Sequence, residues 1–173
     1  MRTIRFTTAV TEPHSVPLQV LAGLLAIGFV LTAGFRETGP EGRQLEAELA
    51  RALAETGVRI VGPNCLGVAV PSRGLNATFA HLAAKPGKLA FVTQSGAIMT
   101  GILDWASARG IGFSHLVSVG AMADVDFGDL LDYFAQDTTT SAILLYMEAV
   151  TQARKFMSAA RAASRRKPVI VLK

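Results

Sequence analysis

The chain has 173 residues, of which half are apolar and 17% are charged, so the composition excludes an intrinsically disordered polypeptide and allows one domain or two small ones. A formal net charge of +4 suits anionic ligands without requiring nucleic acid. The single cysteine, Cys65, excludes a disulfide framework and a cysteine metal cluster, and it favours a reducing, cytoplasmic environment.

An apolar segment near the N-terminus has the outline of a secretory signal peptide. It runs from Leu18 to Phe35 and follows Arg2 and Arg5. Glycines interrupt it, and its apolar centre, Val20–Leu31, is too short to span a bilayer. We interpret the segment as a buried helix followed by a buried strand, and we expect no association with membranes.

Strands and helices are predicted to alternate along the chain. The predicted strands are Ile4–Val10, Ile27–Thr32, Val58–Val61, Leu89–Thr93, His115–Val119, Ala142–Tyr146 and Pro168–Leu172. The predicted helices are Val16–Leu25, Glu41–Glu55, Ala97–Ala108, Phe127–Gln136 and Gln152–Ser164. Such alternation predicts an α/β fold with parallel sheets covered on both faces. We place a boundary near Ala84, between a partial Rossmann-type unit (1–84) and a partial flavodoxin-like unit (85–173) with strand order 2-1-3-4.

The stretch FVTQSGAIMTGILDWA, residues 91–106, joins a predicted strand directly to a predicted helix. In a sheet of this order, ligands bind beyond the carboxyl ends of the first and third strands, where the strand order reverses. A helix that begins at Gly96 directs free N–H groups and a positive dipole end there, with Ser95 as its cap. Thr93, Gln94, Ser95 and Gly96 are therefore candidate phosphate-binding residues. The turn lacks the Lys of a Walker motif, and it fits an ordinary helix cap equally well.

Glu148 follows the third strand of this unit and is expected to face the same crevice. A carboxylate opposite a phosphate site is repulsive unless a cation or a histidine lies between them. A histidine that carries a phosphoryl group satisfies both sides, because the helix terminus binds the phosphate and the carboxylate orients the ring. A surface role for Glu148, near the start of the next helix, stays open.

A series of motifs carries a family resemblance. They are TAGFRETG (32–39), GPNCLGV (62–68), GLNATFA (74–80), PGKLAFVTQSGA (86–97), ILDWA (102–106), GIGFSHLVSVG (110–120), DVDFGDLLDYFAQD (124–137), SAILLYMEAV (141–150) and KPVIVLK (167–173). In this order they resemble the NDP-forming acyl-CoA synthetases, that is, the ADP-forming acetate–CoA ligases related to the succinyl-CoA synthetase α chain. ILDWA, SAILLY and ARKFMSAARAASRRKPVIV are also similar to the synthetase-like region of bacterial protein lysine acetyltransferases.

The resemblance implies a phosphohistidine relay. In the ligases, acyl-CoA, phosphate and ADP interconvert with acid, CoA and ATP, and a phosphorylated histidine swings between sites. Ser95 and Gly96 would bind the phosphate of that histidine, and Glu148 would contact its imidazole. ATP or ADP with Mg²⁺ would bind on a separate ATP-grasp domain or subunit, so a homo- or hetero-oligomer is plausible.

The resemblance also implies a site for coenzyme A or acetyl-CoA. Thr32, Ala33 and Gly34 would end a Rossmann strand that approaches this ligand. Asn64 and Cys65 would belong to a loop near the same cleft.

The chain departs from the family in two respects. The histidine that the ligases phosphorylate lies just beyond KPVIVLK, and His14, His81 and His115 do not match its position. A glycine-rich turn for the CoA diphosphate is missing upstream. We therefore expect a fragment that carries the CoA-binding and phosphohistidine-cradle region of an acetate–CoA ligase and is inactive alone. The alternatives are the catalytically silent, acetyl-CoA-sensing region of a lysine acetyltransferase and a non-enzymatic CoA-binding remnant.

Several other residues have structural explanations that we favour. Cys65 has no evident His or Asn partner and is interpreted as a small buried residue in a tight loop. Asp124, Asp126 and Asp129 lack the spacing of a calcium loop and are interpreted as helix-capping acids, with no metal site. Trp105 is interpreted as a packing residue. A solvated helix face explains the basic residues Arg154, Lys155, Arg161, Arg165, Arg166 and Lys167 better than a nucleic-acid site does.

Overall fold

The structure is a computed structural model that describes residues 27–173. The predicted strand Ile4–Val10, the predicted helix Val16–Leu25 and the signal-peptide alternative lie outside these residues. The strands are β1 (Ile27–Phe29), β2 (Arg59–Val61), β3 (Gly67–Val70), β4 (Leu75–Thr78), β5 (Pro86–Thr93), β6 (Phe113–Ser118), β7 (Ala142–Tyr146) and β8 (Val169–Leu172). The helices are α1 (Pro40–Thr56), α2 (Gly96–Ala108), α3 (Phe127–Gln136) and α4 (Ala153–Ser164).

Local signals explain where the helices begin and end. α1 has Pro40 in its first turn and ends at Gly57, whose φ of 67° lies in the left-handed region that glycine adopts without strain. α3 begins with a reciprocal capping box, because Asp126 Oδ1 accepts the Asp129 N–H at 3.1 Å and Asp129 Oδ2 accepts the Asp126 N–H at 3.1 Å. The predicted capping role of these two acids is confirmed.

Two sheets are present in the described part of the chain. β1 and β2 form a parallel pair, and the other strands form a six-stranded sheet in the order β4-β3-β6-β5-β7-β8. The segment β6-β5-β7-β8 is parallel throughout. The predicted 2-1-3-4 order of the flavodoxin-like unit is confirmed, and β8 is an edge strand of the sheet.

The hairpin β3–β4 was not predicted, because no strand was predicted between Val61 and Leu89. β3 pairs antiparallel with both β4 and β6, so the hairpin extends the second sheet. Gly67 is needed there, because a Cβ on it would lie 2.0 Å from Ala77 O and its φ is 113°.

The six-stranded sheet has helices on both faces. β5 shows the alternation, since Ala90 and Val92 pack on the side of α3 and α4, whereas Phe91 packs on the side of α2. The α2 side includes Met99 and Leu103, both buried. The predicted three-layer arrangement of this unit is confirmed.

Two interpretations of surface residues are corrected. Trp105 is 50% exposed, and the Arg109 guanidinium lies over its ring at 4.5 Å, so it is not a core residue. Two members of the predicted solvated basic face are bound instead: Lys155 Nζ donates to Asp129, and Lys167 Nζ donates to the carbonyl oxygens of Phe134 and Asp137. Among residues 27–173, no helix is long and apolar enough to cross a membrane.

Candidate functional site

The TQSG turn lies where β5 ends and α2 begins. Ser95 is the N-cap of α2, and its Oγ accepts the Ile98 N–H at 3.2 Å, as predicted. Thr93 is fully buried, and its hydroxyl donates to Ser95 O at 3.0 Å and accepts the Ser95 N–H at 2.9 Å. The Thr93 hydroxyl therefore shapes the turn and has no hydrogen left for a ligand.

The first turn of α2 leaves donors available. Within the described chain, neither the Gly96 N–H nor the Ala97 N–H has an acceptor, and both residues are accessible to solvent. The Ser95 hydroxyl accepts a bond from Ile98 and keeps its own hydrogen. These three donors lie at the positive end of the helix dipole, which suits an anion with several oxygens.

The turn that carries Glu148 lies beside the TQSG turn. β5 and β7 are neighbours with Thr93 opposite Tyr146, so both strands end at the same edge of the sheet. The Gln94 side-chain oxygen accepts the N–H groups of Glu148, at 2.6 Å, and of Ala149, at 2.8 Å. The Glu148 side chain is exposed at this edge. The TQSG turn and the Glu148 turn therefore lie side by side at this end of the sheet, and their joint role in binding stays a prediction.

The loop of the GPNC motif lies against the end of β1. The Asn64 N–H donates to Thr32 O at 2.9 Å, and Asn64 adopts a φ of 55° with its side chain exposed. Thr32 and Ala33 are exposed beside it. The proximity expected between Asn64 and the Thr32–Gly34 stretch is therefore present.

The GPNC loop and the TQSG turn, which lie in separate predicted units, are in contact. A Cβ on Gly96 would lie 3.5 Å from Leu66 Cβ, and the Leu66 N–H donates to Ser118 Oγ at 2.9 Å. Gly120, just after β6, packs so closely that a Cβ on it would lie 2.1 Å from Pro63 O. The two predicted sets of site residues thus lie next to each other at the carboxyl end of the six-stranded sheet, which no pattern in the sequence indicated.

Backbone hydrogen bonds join the strand β2 and the GPNC loop to the loop after β6. The Ala123 N–H donates to Gly62 O at 3.0 Å, and the Val125 N–H donates to Ile60 O at 3.1 Å. The Arg59 guanidinium bonds both oxygens of Asp124 at 2.9 Å. These contacts fix the GPNC loop relative to the six-stranded sheet.

The turn after β1 already contains an anion. The Glu37 carboxylate accepts the Gly34 N–H at 2.7 Å, and this bond is the main cause that lowers the pKa of Glu37. The Gly34 amide is therefore satisfied within the chain. An incoming phosphate at that amide would have to displace a carboxylate of the same charge sign.

Cys65 is confirmed as a buried loop residue. It is 3% exposed, its Sγ lies 3.4 Å from Val30 O, and burial raises the pKa of its thiol to about 11. Since the thiolate is the nucleophile, a thiol that stays protonated at neutral pH does not support covalent catalysis.

The acids of the DVDFGD motif form ion pairs. Lys155 Nζ lies 2.6 Å from Asp129 Oδ2 and 3.1 Å from Asp126 Oδ1. Burial opposes ionisation of Asp129, but the bond from Lys155 and the charge of Arg59 outweigh it and hold the pKa of Asp129 below its ordinary value. Cations of the chain itself thus neutralise these carboxylates.

The two described histidines lie away from the TQSG and Glu148 turns. His81 Nε2 is 2.8 Å from Asp104 Oδ1 on the outer side of α2. His115 lies near the start of β6, at the opposite edge of the sheet, as predicted. His14 lies outside the described residues.

The strand order and these turns together define an α/β domain of the flavodoxin-like class, with a polar site at the point where the strand order reverses. Residues 86–173 match the family model described as succinyl-CoA ligase-like flavodoxin domain. The chain belongs to this family, and the resemblance inferred from its motifs is confirmed.

Several known proteins similar to the chain are ADP-forming acetate–CoA ligases. The chain is 47% identical over 144 residues to acetate–CoA ligase [ADP-forming] I of Archaeoglobus fulgidus, covering 83% of the chain and 21% of that protein. It is 46% identical to acetate–CoA ligase [ADP-forming] II subunit alpha of Pyrococcus furiosus, covering 83% of the chain and 31% of the subunit.

A solved structure shows the same relationship. It is an acetyl-coenzyme A synthetase of Ca. Korarchaeum cryptofilum in complex with phosphate and ADP, 39% identical, with a TM-score of 0.81, covering 86% of the chain and 32% of that chain. The present chain thus spans between about a fifth and a third of the length of these proteins.

Proposed function

We propose that the chain is the CoA-binding and phosphohistidine-cradle region of an ADP-forming acetate–CoA ligase. The observation that carries this proposal is that the free N-terminus of α2 lies next to the Glu148 turn and the GPNC loop at the carboxyl end of the sheet. The similar proteins described above are ligases, and they do not favour the alternative of a silent region in a lysine acetyltransferase.

The TQSG and Glu148 turns supply the groups that a phosphohistidine requires. The N–H groups of Gly96 and Ala97 and the Ser95 hydroxyl would donate to the phosphoryl oxygens, and the helix dipole would stabilise their charge. The Glu148 carboxylate would accept the remaining imidazole N–H and so fix the ring orientation. The histidine would come from a segment other than the two that contain His81 and His115.

The CoA site is proposed at the neighbouring loop. Thr32 and Asn64 provide exposed polar groups, and Ala33 provides a small exposed one. The buried Cys65 packs the loop against Val30. Because Glu37 occupies the Gly34 amide, we assign Gly34 to the shape of the turn rather than to a direct bond. Contact between this loop and the start of α2 would bring acyl-CoA close to the phosphoryl group.

The remaining parts of the reaction are proposed to lie on partners. ATP or ADP with Mg²⁺ would bind an ATP-grasp domain or subunit, consistent with a relative that is itself an α subunit. The same proposal includes a cytoplasmic location and a division into residues 1–84 and 85–173, across which the hairpin β3–β4 pairs with β6. Without the partner and the histidine, we expect no acyl-CoA from ATP, acetate and CoA.

Titration of the ¹⁵N-labelled chain with CoA and with inorganic phosphate tests the proposal. Phosphate is expected to shift the amide signals of Gly96 and Ala97, and CoA those of Thr32 and Asn64. The Gly96→Ala variant has room for its methyl group in the fold but narrows the approach to the helix end, so phosphate affinity should fall about tenfold or more. The Gly101→Ala variant, on an open part of α2, is the matched control and should bind normally. Signals that shift elsewhere, or not at all, would remove the proposal.

A further inference from the structure

Gln94 has a role that its place in the TQSG turn does not reveal. Its backbone N–H donates to Tyr146 O at 3.2 Å, which continues the pairing of β5 with β7 by one residue. Its side-chain oxygen then accepts two N–H groups, from Glu148 and Ala149. An amide nitrogen cannot accept these bonds, so the orientation of the Gln94 amide is determined by its partners.

The turn after β7 depends on these two bonds. Met147 is still held by the sheet, since its N–H donates to Leu172 O at 2.9 Å, and α4 begins at Ala153. Apart from the local bond in which the Phe156 N–H of α4 donates to Gln152 O at 3.0 Å, residues 148–152 make no other hydrogen bond to the rest of the described chain. Gln94 therefore determines where the backbone of Glu148 lies relative to α2.

The second half of the Gln94 amide remains available. Its oxygen is occupied by the two N–H groups, and within residues 27–173 its nitrogen has no acceptor. Gln94 is partly exposed, and it directly precedes Ser95, the cap of α2. The amide nitrogen is thus a neutral donor at the carboxyl end of the sheet, beside the free helix end and the Glu148 turn.

We infer that Gln94 is a positioning residue that fixes the Glu148 turn against the N-terminus of α2 through its side-chain oxygen, while its side-chain nitrogen provides a donor for the anion held there. The second role rests on the proposed function. The first depends only on the two hydrogen bonds. A glutamine suits both roles, because it accepts and donates without adding a charge beside a phosphate.

Two variants separate the roles. In Gln94→Met the side chain keeps its length but loses both the acceptor and the donor, so amide exchange of Glu148 and Ala149 should accelerate by roughly five- to tenfold. Phosphate should still shift the Gly96 and Ala97 signals, because the helix end is intact, but its affinity should fall by about three- to tenfold with the loss of the Gln94 donor; an unchanged affinity overturns the donor role. In Gln94→Glu the acceptor is kept and the two amides stay protected, but the added charge should weaken phosphate binding by about tenfold or more.

Amide hydrogen exchange and a titration with inorganic phosphate on the labelled chain measure both effects. In the wild type, the amides of Glu148 and Ala149 should exchange more slowly than those of Val150 and Thr151, which supports the inference before any variant is made. Equal exchange at all four amides, or unchanged exchange in Gln94→Met, overturns the positioning role whatever phosphate does. Absence of phosphate-induced shifts at Gly96 in the wild type refutes the proposed function instead, and the exchange result stands.

Discussion

The two ends of the strands in the six-stranded sheet, called here the carboxyl edge and the amino edge, contain similar polar residues with different roles. At the carboxyl edge, where β5, β6 and β7 end, Ser95 and Glu148 stand beside amide groups with no partner in the described chain. At the amino edge, Ser114 and Thr140 share a buried hydrogen bond of 2.7 Å, and Thr140 donates to Asp137 at 2.6 Å. The carboxyl edge therefore has backbone donors without partners in the described chain, whereas these polar groups at the amino edge are hydrogen-bonded to each other.

A polar residue at the end of a strand therefore indicates a binding site only where nearby backbone N–H groups have no partner within the described chain. Lys167 illustrates the point, because it could pass for a free cation but donates to Phe134 O and Asp137 O. A hydrogen bond that replaces water contributes little net stability, whereas an unused donor at a helix end retains its full capacity for a ligand.

The largest loss of stability is expected from a substitution at Gly120, which packs against the GPNC loop at the carboxyl edge. A Cβ there would lie 2.1 Å from Pro63 O and 2.3 Å from Asn64 O, and the φ of 53° adds strain. Gly120→Ala should lower the free energy of unfolding by about 3 kcal/mol or more, measured by urea denaturation. Gly101→Ala, inside α2 and facing open space, should instead raise it by about 0.5–1 kcal/mol. A loss below about 1 kcal/mol in Gly120→Ala would contradict this prediction, because it would mean that the backbone at Pro63 and Asn64 moves away from residue 120 at little cost.

The amino edge should respond to removal of the Lys167 ammonium group. Lys167→Met keeps the length of the side chain but leaves two carbonyl oxygens without their donor. The free energy of unfolding should fall by about 1.5–3 kcal/mol, the range for hydrogen bonds to charged groups. Arg166→Met is the matched control, because Arg166 is exposed, and its side chain makes no hydrogen bond within the described chain; a change within about 0.5 kcal/mol is expected. Equal losses in both variants would contradict the specific role of Lys167.

Much of the second unit could be predicted because its signals are local. Long apolar strands, amphipathic helices and the capping acids Asp126 and Asp129 specify elements within a few residues of themselves. The strand order followed from the βαβ alternation, and the N-cap Ser95 followed from the strand–turn–helix junction. These are predictions about neighbours in sequence.

The parts that escaped prediction depend on contacts between distant residues. The hairpin β3–β4 joins the sheet only through its pairing with β6, which is distant in the sequence. The contact of Leu66 with Gly96 likewise joins two segments that no local sequence pattern connects. The double acceptance by the Gln94 oxygen is of the same kind, since it spans 54 and 55 residues. A sequence pattern identifies which residues can form hydrogen bonds but not which partners the fold brings to them.

The smallest effect is expected at His115, a buried side chain at the amino edge. Its Nδ1 has no hydrogen-bond partner within the described chain. His115 is 7% exposed, and its Nδ1 lies 3.7 Å from Asp137 Oδ2, beyond hydrogen-bond distance. Burial is the main cause that lowers the pKa of His115; the charge of Asp137 opposes it without reversing it, and Arg73 adds to the lowering. In the folded state the ring is therefore kept neutral to a lower pH than in the unfolded chain.

The sign of the pH dependence follows from this shift. Below the ordinary histidine value of about 6.5, the unfolded chain binds a proton that the folded chain still refuses, so acid favours unfolding. The contribution of His115 is fully present above that pH and is lost as the pH falls through the window toward the lowered folded-state pKa. His115→Leu removes the titrating group, so its free energy of unfolding should decline less between pH 7.5 and 5.5 than that of the wild type. The other histidines are common to both proteins and cancel in the comparison. An identical decline in both proteins would contradict this prediction. It would mean that the protonated ring forms an ion pair with Asp137, so that burial does not lower its pKa in the folded state.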